Sequence, residues 1–208
     1  MRLDIITPVG PGHETLIQEA ILSLDIAKLH PGPFDSIQMI AVEDFQGLNG
    51  RSKSRNHGIR KSKSDWLFFL DADDLLHPEA FKNMNDFMKY DCVWGQITEY
   101  REGCYLPRYQ VPKIENIKVL YDVDPYLTLQ MGFFVRRDKM IPFDESLDCG
   151  EDWDVYLKLW KSFKCIKQPK PFMINRRGFH SQGPKSADGG QWRESVTRII
   201  KESRVGRG

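Results

Sequence analysis

The 208-residue chain is 40% hydrophobic and 12% aromatic, with a formal net charge of +1. That suits one globular unit with a full core and leaves no global charge to attract nucleic acid or an acidic membrane, so any basic site has to be local. No apolar run reaches membrane-spanning length, the N-terminal MRLDIITPVG is too short and polar for a signal peptide, and Cys92, Cys104, Cys149 and Cys165 lack CxxC spacing; together these predict reduced thiols and a cytoplasmic protein.

Leu3-Asp4-Ile5-Ile6-Thr7 reads as a strand stopped by Pro8 and the loose Gly10-Pro11-Gly12. Leu16, Ile17, Ala20, Ile21 and Leu24 then recur at the spacing of a buried helical face, and Pro31-Gly32-Pro33 ends that segment. Ile37 to Val42 is a second strand running into Glu43-Asp44, and Ser52 to Ser62 is a predicted helix with Arg55 and Ile59 one turn apart. Trp66 to Leu70 is almost wholly apolar, as expected for a strand covered on both faces. Beyond Pro78, the stripe Phe81, Met84, Phe87 and Met88 predicts a further amphipathic helix.

The second half is less regular. Cys92 to Tyr100 and Gly132 to Arg136 are expected strands, separated by a loop region from Pro107 to Asp124. Gly150-Glu151-Asp152 opens a helix with the stripe Trp153, Tyr156, Leu157, Trp160 and Phe163, and Phe172 to Asn175 forms a strand. Ser181 to Gly190 is polar and glycine-rich and reads as a mobile loop before a last helix carrying Trp192, Val196, Ile199 and Ile200. Alternating strands and helices predict an α/β fold with a mainly parallel central sheet flanked by helices. Ligands of such sheets sit outside the carboxyl ends of the strands, and Thr7-Pro8, Glu43-Asp44 and Asp71-Ala72-Asp73 all fall there.

Asp71, Asp73 and Asp74 follow the buried strand directly. Clustered carboxylates become favourable when a divalent cation sits among them, and hard oxygen ligands without cysteine point to magnesium or manganese. Capping of the next helix explains one of the three. The basic run Gly50 to Gly58 reads ordinarily as a solvated helix face, but Arg55 shares a side with Ile59, which aims it across the rim, where a guanidinium can neutralise a phosphate. Glu151 and Asp152 occupy a helical first turn, either simply complementing the helix dipole or supplying a carboxylate base. His180 precedes the glycine-rich stretch, where a metal or phosphate contact competes with a structural role; His13, His30, His57 and His77 show no ligand spacing.

In this order the residues resemble family 2 glycosyltransferases of the GT-A fold. The likeness runs from Leu3 to about His180 and is strongest over GRSKSRNHGIRKSKSDWLFFLDADD, residues 50–74, which is similar to the family's ARN.G…LDaDD pattern. The resemblance implies a single domain over 1–208, with a nucleotide-sugar-binding half at 1–100, an acceptor-binding half at 101–180, and a flexible loop and C-terminal helix at 181–208. It implies that Thr7, Pro8, Val9 and Asp44 hold the nucleoside, Arg55 approaches the base or diphosphate, and Asp71 with Ala72 meets the ribose. Asp73 and His180 would bind Mn2+ or Mg2+, Asp74 would support them, and Asp152 beside Glu151 would act as the base. Phe45-Gln46 replaces the family's GS after the second strand, and no QxxRW follows the acidic pair, which argues against a processive synthase.

The implied activity is metal-dependent transfer of one hexosyl or deoxyhexosyl unit from a UDP-sugar to a hydroxyl of a glycan or glycoconjugate, with inversion favoured. Small GT-A domains of this kind occur in large DNA viruses and in bacterial surface-glycan clusters. Two other readings stand beside it: a haloacid-dehalogenase-like phosphatase, which also sets DxD after an apolar strand, and a non-catalytic nucleotide- or glycan-binding module.

Overall fold

The structure, a computed structural model, describes residues 1–101, 103–176, 185 and 189–205, excluding the side chain of Arg101. β1 (Arg2–Val9), α1 (Leu16–Ala27), β2 (Ser36–Glu43), α2 (Gly50–Lys61) and β3 (Trp66–Phe69) come first. β4 (Leu75–Leu76), β5 (Cys92–Arg101), β6 (Cys104–Pro107), α3 (Lys118–Asp122) and β7 (Phe133–Arg136) follow. α4 (Glu151–Ser162), β8 (Cys165–Asn175) and α5 (Gly190–Val205) complete the described strands and α-helices.

One sheet runs in the order β2-β1-β3-β7-β5-β8-β4, with β6 paired to β5. Its two longest ladders, β1–β2 and β5–β8, are parallel, as is β1–β3. β7 enters antiparallel to both β3 and β5, and β4 antiparallel to β8, so the sheet is mixed. β7 thereby stitches the first three strands to the second half of the chain. This is an α/β sheet of the GT-A type, flanked by helices.

Residues 66–70 explain why the middle of the sheet is rigid. All five are fully buried, with Leu67 and Phe69 facing the cluster that holds α4 and α5, and Trp66, Phe68 and Leu70 facing the one that holds α1. Period-two alternation in an unbroken apolar run is what a strand covered on both faces requires. Ring contacts extend this order sideways: Phe69 stacks on Phe133 and Phe133 on Trp94, with centroids 5.2 and 4.7 Å apart.

Three local expectations are corrected. The segment after Pro78 forms a 3₁₀ helix, Lys82–Phe87, rather than an amphipathic α-helix; its Asn-Met-Asn-Asp stretch is poor in helix formers, and Asn83 donates its side-chain amide to the Pro171 carbonyl. The expected loop 107–124 contains α3 and a bridge from Ile114 to Lys167. The last strand starts at Cys165, seven residues before Phe172, because its outer half pairs with β5.

Candidate active site

A cavity of about 450 Å³ opens where β1, β2 and β3 end. Pro8, Asp44, Arg55, Asp71, Ala72, Asp73, Glu151 and Asp152 all line it, so residues from five separate segments meet at one rim. Thr7 and Val9, expected at the nucleoside, do not: both are buried within β1, Val9 in the apolar core, and strand alternation leaves Pro8 to face the cavity. His180 and residues 181–184 and 186–188 lie outside the described residues.

Asp44 is held before any ligand arrives. Its carboxylate accepts from the backbone N–H groups of Leu48, Asn49 and Gly50 at 3.0, 3.0 and 2.8 Å. These are orphan donors at the start of α2, whose own N-cap residue, Asn49, makes no side-chain cap. Asp44 also donates its N–H to the Val9 carbonyl at 2.8 Å, tying the ends of β1 and β2 to the first turn of α2.

Arg55 lines the cavity and is held there by two carboxylates: it is 3% exposed and donates Nη2 to Asp71 at 2.7 Å and Nη1 to Glu151 at 3.0 Å. Burial by itself lowers the basicity of such a group, but Asp71 and Glu151 outweigh it and raise the pKa, so Arg55 is a permanent cation. Next to it, Asn56 exchanges two hydrogen bonds of 2.8 Å with the backbone of Phe143. Consecutive residues of α2 thus fasten the DxD segment and the approach to α4 to the same helix.

α4 begins at Gly150, whose φ of +84° suits glycine and turns the chain so that Glu151 and Asp152 occupy the first helical turn. Glu151 is buried and paired through one oxygen with two arginines, Arg55 and Arg51 (Nε at 2.6 Å), which fixes its carboxylate in place. Asp152 carries no such pair. Its Oδ1 accepts from the N–H of Trp153 at 2.9 Å, and burial, then the Glu151 charge, push its pKa up to about 6. A carboxylate poised there combines a usable deprotonated fraction near neutrality with more basicity than an ordinary aspartate.

Asp73 and Asp74 divide their labour. Burial, then the Asp71 charge, raise the pKa of Asp73, with His13 and Arg176 opposing. Asp74 is buried and bound by the Asn175 side chain and the Arg176 N–H, both at 3.0 Å, and its pKa is raised well above the usual range by burial and then by Asp73 and Asp71. Asp74 therefore does not cap a helix, since β4 follows it; it clasps the DxD segment to the end of β8. Arg176 adds to the clasp by donating Nε to the Asp73 carbonyl at 2.5 Å and Nη1 to Glu19 at 2.5 Å.

Among the described residues no three histidine, cysteine or acidic side chains converge as a cation cage. The chemistry of the donors still fits a hard divalent ion: Asp73 faces the cavity as an oxygen ligand whose negative charge is destabilised by burial and by Asp71.

Several lining residues escaped the sequence reading. His13 follows the first strand end, in the region already marked as a rim, and was set aside for want of ligand spacing. Arg51 and Lys185 bring cations to the Asp152 side, and Leu129, Met131 and Met173 form an apolar wall. That wall depends on Gly132, at φ +94°, where a Cβ would lie 2.1 Å from the Met173 sulfur.

Residues 34–151 match the family model for Glycosyl transferase family 2. The chain is 35% identical over 60 residues to the Staphylococcus aureus (strain N315) poly(ribitol-phosphate) beta-N-acetylglucosaminyltransferase TarP, covering 27% of this chain and 18% of that protein. It is 27% identical over 133 residues to the Bacillus subtilis (strain 168) minor teichoic acid biosynthesis protein GgaB, covering 58% and 15%. Among solved structures, S. aureus TarS 1-349 superposes with a TM-score of 0.67 at 16% identity, covering 98% of this chain and 65% of that one. The same TarS fragment in complex with UDP gives 0.67 at 18% identity, with the same coverage. At such identity the TarS likeness establishes the GT-A fold. The chain spans less than a fifth of the curated relatives and about two thirds of the TarS fragment. Membership in the family sets aside the phosphatase reading, and on the family match the conclusion is plain: this chain belongs to glycosyl transferase family 2.

Proposed function

We propose that the protein transfers one sugar from a UDP-sugar to a hydroxyl of a glycan or glycoconjugate acceptor, with Asp152 as the base. The observation that carries this reading is the contrast in the acidic pair: Glu151 is neutralised by two arginines, while Asp152 faces the cavity with a pKa of about 6. A non-catalytic binding module has no need of a half-buried carboxylate held at that value. Relatives named for a poly(ribitol-phosphate) acceptor and for teichoic acid biosynthesis support a polyol-phosphate polymer as acceptor. The UDP complex of TarS supports UDP as the nucleotide.

In this mechanism the nucleoside lies against Pro8 and the loop organised by Asp44. Asp71, fixed by Arg55, meets the ribose. Asp73, with His180, would hold Mn2+ or Mg2+, which when bound supplies positive charge against the leaving diphosphate. The acceptor hydroxyl attacks the anomeric carbon through an oxocarbenium-like state while Asp152 removes its proton. Attack from the face opposite the diphosphate inverts the anomeric centre. Arg55 acts indirectly, by holding Asp71 and Glu151, and through Glu151 the first turn that carries Asp152.

Titration with UDP by calorimetry, with and without manganese, tests the donor site. Binding is expected to depend on the metal and to lose that dependence in Asp73→Asn. UDP affinity unchanged by both EDTA and Asp73→Asn overturns the metal assignment.

A further inference from the structure

Residues 50–64 hold six cationic side chains and no acidic one, in a chain whose net charge is only +1. Arg55 turns inward and Arg51 pairs with Glu151 at the cavity. The others face solvent: Lys53, Arg60, Lys61 and Lys63 are exposed, as is His57, and none of the four cations forms an ion pair with a described residue. At about 100° per residue, Lys53, His57, Arg60 and Lys61 fall within one arc of about 100°, a file about 12 Å long on the side of α2 away from β1 and β2. Lys53, Arg60 and Lys61 thus present unpaired positive charge along one exposed side of α2, with no acidic side chain between Gly50 and Ser64 to offset it. An anionic partner neutralises that charge.

The file begins one turn from the cavity, because Gly50, Arg51 and Ser54 of the same helix line the cavity mouth. Any chain entering toward Asp152 can continue outward along α2. We infer that the exposed face of α2 is a guide for a phosphodiester-linked acceptor polymer, whose phosphates pair with Lys53, Arg60 and Lys61 while a terminal or internal hydroxyl reaches the cavity. This rests on the glycosyltransferase reading and adds the seat of the acceptor. The competing occupant is an anionic bilayer, for which exposed Phe45 and Leu48 precede the helix; α2 itself exposes no large apolar side chain to enter lipid.

The test uses a fluorescently labelled synthetic polyol-phosphate oligomer of about eight units, titrated by anisotropy against the wild-type chain and K53E/R60E/K61E. A neutral oligosaccharide of equal length, single-stranded DNA of equal charge and vesicles containing phosphatidylglycerol are the comparison ligands. With three phosphates neutralised, log K is expected to fall against log salt with a slope of about −2. The triple variant is expected to lose at least tenfold in oligomer affinity while its circular dichroism and UDP affinity stay unchanged; Lys61→Glu alone serves if the triple variant does not fold. No binding by wild type, binding indifferent to the substitutions, or tighter binding of the DNA or the vesicles overturns the assignment. Failure of wild type to bind UDP refutes the glycosyltransferase reading instead, and the oligomer titration still decides the role of α2.

Discussion

Asp152→Asn separates catalysis from stability because the two are expected to move in opposite directions. The Asp152 carboxyl is raised from 3.8 to about 6 by burial and by Glu151. A carboxyl raised on folding favours its neutral form in the folded state. Its contribution to stability is therefore complete below pH 3.8 and lost as pH rises through about 6. Above that, wild type carries a penalty of about 3 kcal/mol at most, at 1.36 kcal/mol per pH unit. Water in the open cavity reduces this figure. Asparagine keeps the shape and has no charge to desolvate, so at pH 7.5 the variant should melt about 3 °C or more above wild type, with a ceiling of about 6–12 °C for a chain of this length. Below pH 4 the difference should vanish. Turnover should fall by about 10²–10⁴, the usual share of a general base. The wild-type rate should lose about tenfold per pH unit below about pH 6, where the base becomes protonated. Scanning fluorimetry across pH reads stability, and UDP release from the sugar donor chosen by a thermal-shift panel reads turnover. An Asn variant within fivefold of wild-type turnover, or a flat rate between pH 5 and 7, refutes Asp152 as base; an Asn variant less stable at pH 7.5 refutes the burial argument.

Two further substitutions probe the scaffold of the site. Arg55→Met leaves half-buried Asp71 without this partner and Glu151 with Arg51 alone, and should cost about 1.5–3 kcal/mol in urea unfolding. Arg55→Lys should recover only part of this, since one ammonium cannot reproduce the two-sided guanidinium geometry; equal stability of Arg55→Lys and wild type counts against the bridge. Asp44→Ala removes the cap of α2 and should destabilise by about 0.5–2 kcal/mol. It should also weaken UDP binding in calorimetry by loosening the 48–50 loop, and unchanged UDP affinity would show that the loop does not touch the donor.

The position of the cavity was legible from local pattern. Apolar runs that end at Pro8, Asp44 and Asp71 mark carboxyl ends of parallel strands, and a ligand site there follows from sheet topology. The roles of individual side chains were less so. Arg55 could be placed on the inward side of α2, but its partners lie 16 and 96 positions away, and periodicity reports burial without naming the neighbour. The acidic pair was visible as Glu151-Asp152 with nothing local to distinguish its members; two arginines from α2 do that.

By itself the sequence determined the strand-helix alternation, the doubly buried third strand and the acidic cluster at its end, since each depends on residues close enough in the chain to share one element. Tertiary structure decided what long-range pairing controls. It inserted β7 antiparallel between the two halves, withdrew Thr7 and Val9 into the core, and clasped Asp74 to Asn175 and Arg176 across 101 and 102 positions. It also left Asp152 rather than Glu151 without an arginine. The physical reason is desolvation: a buried charge acquires its role from the partner that makes burial tolerable, and that partner is chosen by packing rather than by position in the chain.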